Sequence, residues 1–251
     1  MKISYVVPGL MPEEEARRRE GLLRGWASAG TQVDVVTVDE GPLSIESVYE
    51  ELICVRAMAE KVMDLEALGY DAAIVGCAGD PGLDAVRELT TRMLVTGPGE
   101  ASFHAAAMLG RRFGLLTLDE GMVAMGFEQA AKIGVGSRLV SVVSVDTPVL
   151  ALTQDRDKTF GRIVAACQKA IAAQHVDTMV IGCMTMGFMT MAKELEEAIG
   201  IPVVNPANVC LKFTEALVSC GLMHSKAAFA VPPKIALGTA RDYRDLFHTR
   251  G

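Results

Sequence analysis

The sequence predicts an α/β protein of two pseudo-symmetric lobes, each a parallel sheet flanked by helices. Three observations predict it. Short β-branched runs alternate with longer helical stretches, the signature of βαβ units and parallel sheets. The 251 residues are half hydrophobic, enough for one large core or two smaller ones. The first half of the chain also echoes in the second. Asp71-Ala72-Ala73-Ile74-Val75-Gly76-Cys77 and Asp177-Thr178-Met179-Val180-Ile181-Gly182-Cys183 share the pattern Asp, two residues, aliphatics, Gly-Cys, at an offset of 106 residues.

Taken in order, the first half predicts strands at Ile3–Val7, Val33–Val38, Ala73–Gly76 and Met93–Thr96. Helical patterns at Pro12–Ala29 and Ile45–Leu68 separate them, and a third follows at Glu100–Leu109. Asp80-Pro81 reads as a cap and first turn of a further helix, because aspartate accepts from free N–H groups and proline is preset for the first turn. The second half predicts strands at Phe113–Thr117, Leu139–Val145, Thr178–Gly182 and Pro202–Val204. Its helices are expected at Asp157–Gln174, Ala192–Ile199 and Asn208–Val218. The echo extends to Val95-Thr96-Gly97-Pro98 against Val203-Val204-Asn205-Pro206, with the offset drifting to 108 residues. The polar Arg241–Gly251 end is expected to be mobile.

A formal net charge of −7 gives no footprint for nucleic acid or anionic membrane. No apolar run is long enough to span a bilayer, and the short N-terminal strand runs into Glu13-Glu14-Glu15, which is wrong for a signal peptide. Six cysteines in such a chain point to reduced thiols and a cytoplasmic location. They form no C-x-x-C, and the four histidines are scattered, so no metal is expected. Gly97-Pro98-Gly99 lacks the third glycine of a dinucleotide fingerprint.

Cys77 and Cys183 are the candidate catalytic residues. Each follows a strand at the end where α/β proteins bind ligands. Free backbone N–H groups and a helix dipole there favour the thiolate, whose ordinary pKa is about 8.5. A thiolate on one face of a substrate and a thiol on the other can remove a proton from carbon and return one with inversion, without a cofactor. Cys54, Cys167, Cys210 and Cys220 sit in helical apolar contexts and read as packing. The methionines around Cys183 read as core filling, or, for Met184 and Met186 with Phe188, as the wall of an apolar pocket. Glu100 and His104, one turn apart, either face the cleft or stabilise their helix.

Gly76-Cys77-Ala78-Gly79-Asp80-Pro81-Gly82-Leu83-Asp84, Gly97-Pro98-Gly99-Glu100-Ala101-Ser102-Phe103-His104 and Arg112-Phe113-Gly114-Leu115-Leu116-Thr117 resemble the aspartate/glutamate racemase superfamily, in its hydantoin/allantoin racemase branch. So do Gly182-Cys183, Ile201–Pro206, Glu215–Val218 and Val231-Pro232-Pro233-Lys234. The resemblance implies a first lobe of residues 1–97 plus 208–251 and a second of 98–207. It also implies proton transfer by Cys77 and Cys183 on a small molecule with an acidic carbon, no cofactor, and a homo-oligomer. Carried over by position, Ala78, Gly79, Met184 and Thr185 would bind the carbonyl or carboxylate oxygens, and Gly97 and Thr117 would line the cleft. The chain departs from the branch at Val7-Pro8-Gly9, where Asn-Pro-Asn is common, and at Met184-Thr185-Met186, where Ala-Gly-Met is usual. Asn205 replaces a common acidic residue. These departures leave open a decarboxylase or cis–trans isomerase on the same fold, or a non-catalytic metabolite-binding protein.

Overall fold

The computed structural model describes residues 1–246. Its first unit runs β1 (Lys2–Val7), α1 (Glu13–Trp26), β2 (Gln32–Thr37), α2 (Val48–Ala67), β3 (Ala72–Val75), α3 (Leu83–Leu89) and β4 (Leu94–Thr96). Then α4 (Pro98–Leu109) leads into β5 (Phe113–Thr117), α5 (Val123–Lys132), β6 (Leu139–Ser144), α6 (Arg156–Gln174), β7 (Thr178–Ile181), α7 (Met184–Phe188), α8 (Ala192–Ile199) and β8 (Val203–Val204). The chain closes with α9 (Pro206–Ser219), α10 (Pro233–Ala236) and a 3-10 turn at Tyr243–Leu246.

Two four-stranded parallel sheets result, ordered β2-β1-β3-β4 and β6-β5-β7-β8. The central pairs run in matching register, Ile3 to Ala72 through Val6 to Val75, and Phe113 to Thr178 through Leu116 to Ile181. Beyond the leading residue of β1, these central strands are buried throughout, as parallel strands covered on both faces must be. The order reverses between β1 and β3, and again between β5 and β7. Loops leaving adjacent strands there diverge and open a crevice at the C-terminal edge.

The helices after the last strands change lobes. Phe103 and Ala106 of α4 pack with Phe113, Leu115 and Val180 beneath the second sheet. Ala207, Cys210 and Leu211 of α9 pack with Ile3, Tyr5 and Ile74 beneath the first. The two helices lie against each other, and the Thr96 and Thr214 hydroxyls share a hydrogen bond of 2.7 Å. After α9 the chain runs along the edge strand β4, where the Val95 N–H donates to His224 Nε2 at 2.7 Å.

The strands and long helices lie within a few residues of expectation. Helices α5, α7 and α10 are not foreseen from the sequence. α7 is a five-residue turn formed at the Cys183 loop, too short to show a period. In α5 a glycine, Gly126, stands where an apolar residue would mark the period, because a Cβ there would lie 2.7 Å from Leu115 Cδ2. The expected mobile end falls partly outside the described residues, at 247–251. Within them Arg244 pairs with Asp64 of α2 at 2.8 Å. No helix among the described residues is long and apolar enough to cross a membrane.

Candidate active site

The shared Gly-Cys pattern has a geometric cause. The Gly76 N–H donates to the Val6 carbonyl at 2.8 Å, and the Gly182 N–H to the Leu116 carbonyl at 2.9 Å. A Cβ at Gly76 would lie 2.5 Å from that Val6 oxygen, and one at Gly182 would lie 2.3 Å from the Leu116 oxygen. Only glycine lets the chain pass so close to the neighbouring strand. The next residue leaves the sheet at its C-terminal edge, and in both lobes it is a cysteine.

Cys77 and Cys183 line one cavity of about 540 Å³ built from both lobes. Ala78, Gly79, Met184 and Thr185 line it too. Gly97 and Thr117 do not. Thr117 opens instead on a second cavity of about 430 Å³ behind the Ala78–Asp80 loop, and a Cβ at Gly97 would run into the Asp80 carboxyl. Met184 is part of the cavity wall, whereas Met186 and Phe188 are fully buried in the cores of the second and first lobes. Glu100 pairs with Arg87, and His104 is exposed. Cys54, Cys167 and Cys210 are buried as expected, while Cys220 is exposed at the end of α9.

Asp80 does not cap the helix that follows Cys77. That helix starts at Leu83, after Gly82 in a left-handed conformation, and Pro81 lies outside it. The Asp80 carboxylate caps α4 instead, accepting from the Gly99 N–H at 3.0 Å and the Glu100 N–H at 2.6 Å. Gln129 of α5 adds a third donor at 3.2 Å. Burial nevertheless pushes the Asp80 carboxyl up to about 7, with the Glu100 charge adding to the rise.

The expected ready thiolates are also corrected. Burial raises Cys77 well above the ordinary thiol value and raises Cys183 as well, so enclosure outweighs the local donors. The donors differ between the sites. At Cys183 the Met186 and Thr185 N–H groups, the Arg19 charge and the Thr185 hydroxyl all oppose the rise. At Cys77 the Gly79 N–H does, while Glu51, Cys54 and Asp80 add to it.

Three charged residues on this cavity, Glu15, Arg18 and Arg19, are not among the site residues expected from the sequence. Arg19 is 5 % exposed, bonded to Glu15 at 2.8 Å and to Thr185 Oγ1 at 3.1 Å, with its guanidinium over the Phe188 ring. The available signal was its spacing: Arg19 lies one turn before Leu23 on the buried stripe of α1.

The profile of the Asp/Glu/Hydantoin racemase family matches residues 17–214, more than half of the chain. The chain belongs to the Asp/Glu/Hydantoin racemase family. A hydantoin racemase of Pseudomonas sp. (strain NS671) is 30% identical to it over 207 residues, covering 82% of each chain. A hydantoin racemase of Paenarthrobacter aurescens is 29% identical over 201 residues, covering 80% of this chain and 84% of that one. Among solved structures, an allantoin racemase from Klebsiella pneumoniae superposes with a TM-score of 0.85 at 27% identity, over 92% of this chain and 94% of that one. Membership places this racemase, an isomerase, in the hydantoin/allantoin branch. Arylmalonate decarboxylase, at a TM-score of 0.58 and 18% identity, shares the fold.

Proposed function

We propose that this racemase inverts the acidic ring carbon of 5-substituted hydantoins, with Cys77 and Cys183 as the two proton-transfer groups. The observation that carries the reading is that two free thiols, at equivalent strand ends of two equivalent sheets, line a single cavity. One sulfur, as thiolate, takes the proton from C5, and the electron pair of that C–H bond moves into the adjacent carbonyl. The other thiol then delivers its proton to the opposite face. Backbone at Ala78-Gly79 and Met184-Thr185, two residues either side of the reacting carbon, is suited to hold the oxygen that gains charge. The hydantoin racemases among the relatives act on this ring.

The cavity wall supports an apolar substituent at C5. Leu10, Leu43, Leu150 and Met189 line it, and Val7-Pro8-Gly9 contributes no side-chain amide to hold a polar group. The proposal takes residues 1–97 plus 208–251 and 98–207 as the two halves of the machine, each giving one thiol. A homo-oligomer agrees with the exposed apolar face of Val48, Tyr49 and Leu52 on α2. Six free thiols agree with a reducing, cytoplasmic setting.

The test is racemisation and solvent-deuterium incorporation at C5 across hydantoins with apolar and polar substituents. Cys77→Ser and Cys183→Ser are each expected to lose racemisation by about 10²-fold or more. Wild-type racemisation in either variant sinks the two-thiol reading. Carbon dioxide released from a substituted malonate, or fumarate from maleate, would reassign the chemistry within the same fold.

A further inference from the structure

The two lobes repeat one more device, and the repeat is chemically unequal. Arg19 lies twelve residues after Val7, which ends β1; Gln129 lies twelve residues after Thr117, which ends β5. Each side chain rises from the helix after its lobe's first strand and reaches the cysteine loop of the other lobe. Arg19 Nη2 donates to Thr185 Oγ1, two residues after Cys183, at 3.1 Å. Gln129 Nε2 donates to the Ala78 carbonyl, one residue after Cys77, at 2.8 Å. One crossing arm carries a full positive charge and the other none.

We infer that Arg19 is a positioning residue that makes Cys183 the resting base of the pair and leaves Cys77 as the resting proton donor. The inference rests on the two-cysteine reading above. Around the Cys183 sulfur the facing groups are the Thr185 and Met186 amides, the Thr185 hydroxyl and the Arg19 guanidinium, all of which favour a negative sulfur. Arg19 also fixes the hydroxyl. By donating into the Thr185 oxygen it leaves that oxygen's own hydrogen for the thiolate. Glu15 does not cancel the charge, because its carboxylate is shared between Arg18 and Arg19.

Around Cys77 the balance is opposite. From α2 come the Glu51 carboxyl and the Cys54 thiol, and from its own loop comes the Asp80 carboxyl. Tyr5 of β1, held neutral by burial although Arg19 lies against it, donates its hydroxyl to the Gly76 carbonyl at 2.9 Å. The Gly79 N–H favours a negative sulfur at this end. A nearby cation stabilises a thiolate and a nearby carboxylate opposes it.

In a turnover from this state, Cys183 as thiolate takes the proton from carbon and becomes a thiol. The C–H electron pair enters the carbonyl system and returns to carbon as Cys77 gives up its proton. The enzyme is then left as Cys77 thiolate and Cys183 thiol, and exchange of one proton with solvent restores the resting arrangement. Racemisation fixes the two directions at equal kcat/KM, so the asymmetry is read on the thiols rather than on the enantiomers.

The experiment is alkylation by iodoacetamide from pH 6 to 10, with each cysteine followed separately by peptide mass spectrometry. Rate against pH gives a midpoint for each thiol, or a lower bound on it where the rate still climbs at pH 10, whereas the limiting rate reports access. The Cys183 midpoint is expected at least one pH unit below that of Cys77, although Cys77 is the more exposed of the two. Arg19→Gln should raise the Cys183 midpoint, slow Cys183 about tenfold at neutral pH and leave the Cys77 midpoint in place; one unit of pKa is a factor of ten in thiolate. Arg19→Lys should restore most of the shift. A merely structural Arg19 would alter limiting rates and leave midpoints alone. Should Arg19→Gln not fold, Thr185→Val, which removes the hydroxyl and keeps the cation, should move the Cys183 midpoint in the same direction. A lower midpoint at Cys77 in the wild type, or an unmoved Cys183 in the variant that folds, overturns the inference. If the serine variants racemise normally, the two-cysteine reading itself has failed. If they are inactive while the midpoints coincide, only the role of Arg19 falls.

Discussion

Glu51 shares a wall with the Cys77 loop: a Cβ on Gly79 would overlap its Oε1, and that oxygen has no hydrogen-bond partner among the described residues. Burial raises this carboxyl from 4.5 to about 7. The native protein therefore keeps the Glu51 proton in a range where the unfolded chain has lost it. The unfolded state then binds fewer protons, so this group makes stability fall as pH rises from about 4.5 to 7, with no further change above. Glu51→Gln is expected to lose less stability than the wild type across that window. Urea unfolding at pH 5 and pH 7.5 checks it, and equal losses in the two proteins would mean that Glu51 ionises normally. The glycines before the thiols act by a different route. Gly76 and Gly182 were visible in the sequence as a repeated letter, but their need for close approach became visible only with the Val6 and Leu116 carbonyls in place.

Short elements carry the joints between the lobes. The turn α7 belongs to the second lobe, yet Phe188 at its end enters the core of the first. Its ring meets Tyr5 edge-on at 5.4 Å and stacks with Trp26 at 6.1 Å. Arg18 adds a hydrogen bond of 3.0 Å to the Phe188 carbonyl. The plug therefore fixes the loop that presents Cys183 and Thr185. Phe188→Ala is expected to cost about 3–5 kcal/mol, the usual range for emptying an aromatic site, measured as a lower urea midpoint with an unchanged slope. A loss below about 1 kcal/mol would show that the loop closes over the gap. Asp80 makes the reciprocal joint, from the Cys77 loop to the first turn of α4. Its position one step before proline suggested a local cap. The donors it satisfies lie nineteen and twenty residues further on, beyond the reach of any local pattern.

Each sheet is completed by a helix that follows the last strand of the other, α4 beneath the second and α9 beneath the first. The two covering helices also lie against each other, so losing either lobe strips one side of the helix that covers the other sheet. Calorimetry is expected to give one unfolding transition with equal calorimetric and van't Hoff enthalpies. Two resolved transitions would show that the exchanged helices hold little of the stability. Much of this plan was legible in the chain. Alternating β-branched runs and helical stretches gave parallel sheets, and the echo of Asp71–Cys77 in Asp177–Cys183 gave two related halves, because strand burial and the Gly-Cys turn are local demands written in local sequence. The same echo picked out the two thiols, and the family resemblance added the backbone at Ala78, Gly79, Met184 and Thr185 that shares their cavity. What only the tertiary structure decided was everything set by approach from a distance. Thr117 opens on the second cavity, and the Asp80 carboxyl occupies the space a side chain at Gly97 would need. Both thiols are held above their ordinary range because the lobes close over them. Arg19, hidden in a run of helix charges, reaches Thr185 only after the two halves meet. Periodicity records which side of an element is buried; it carries no record of which charge arrives from the opposite lobe.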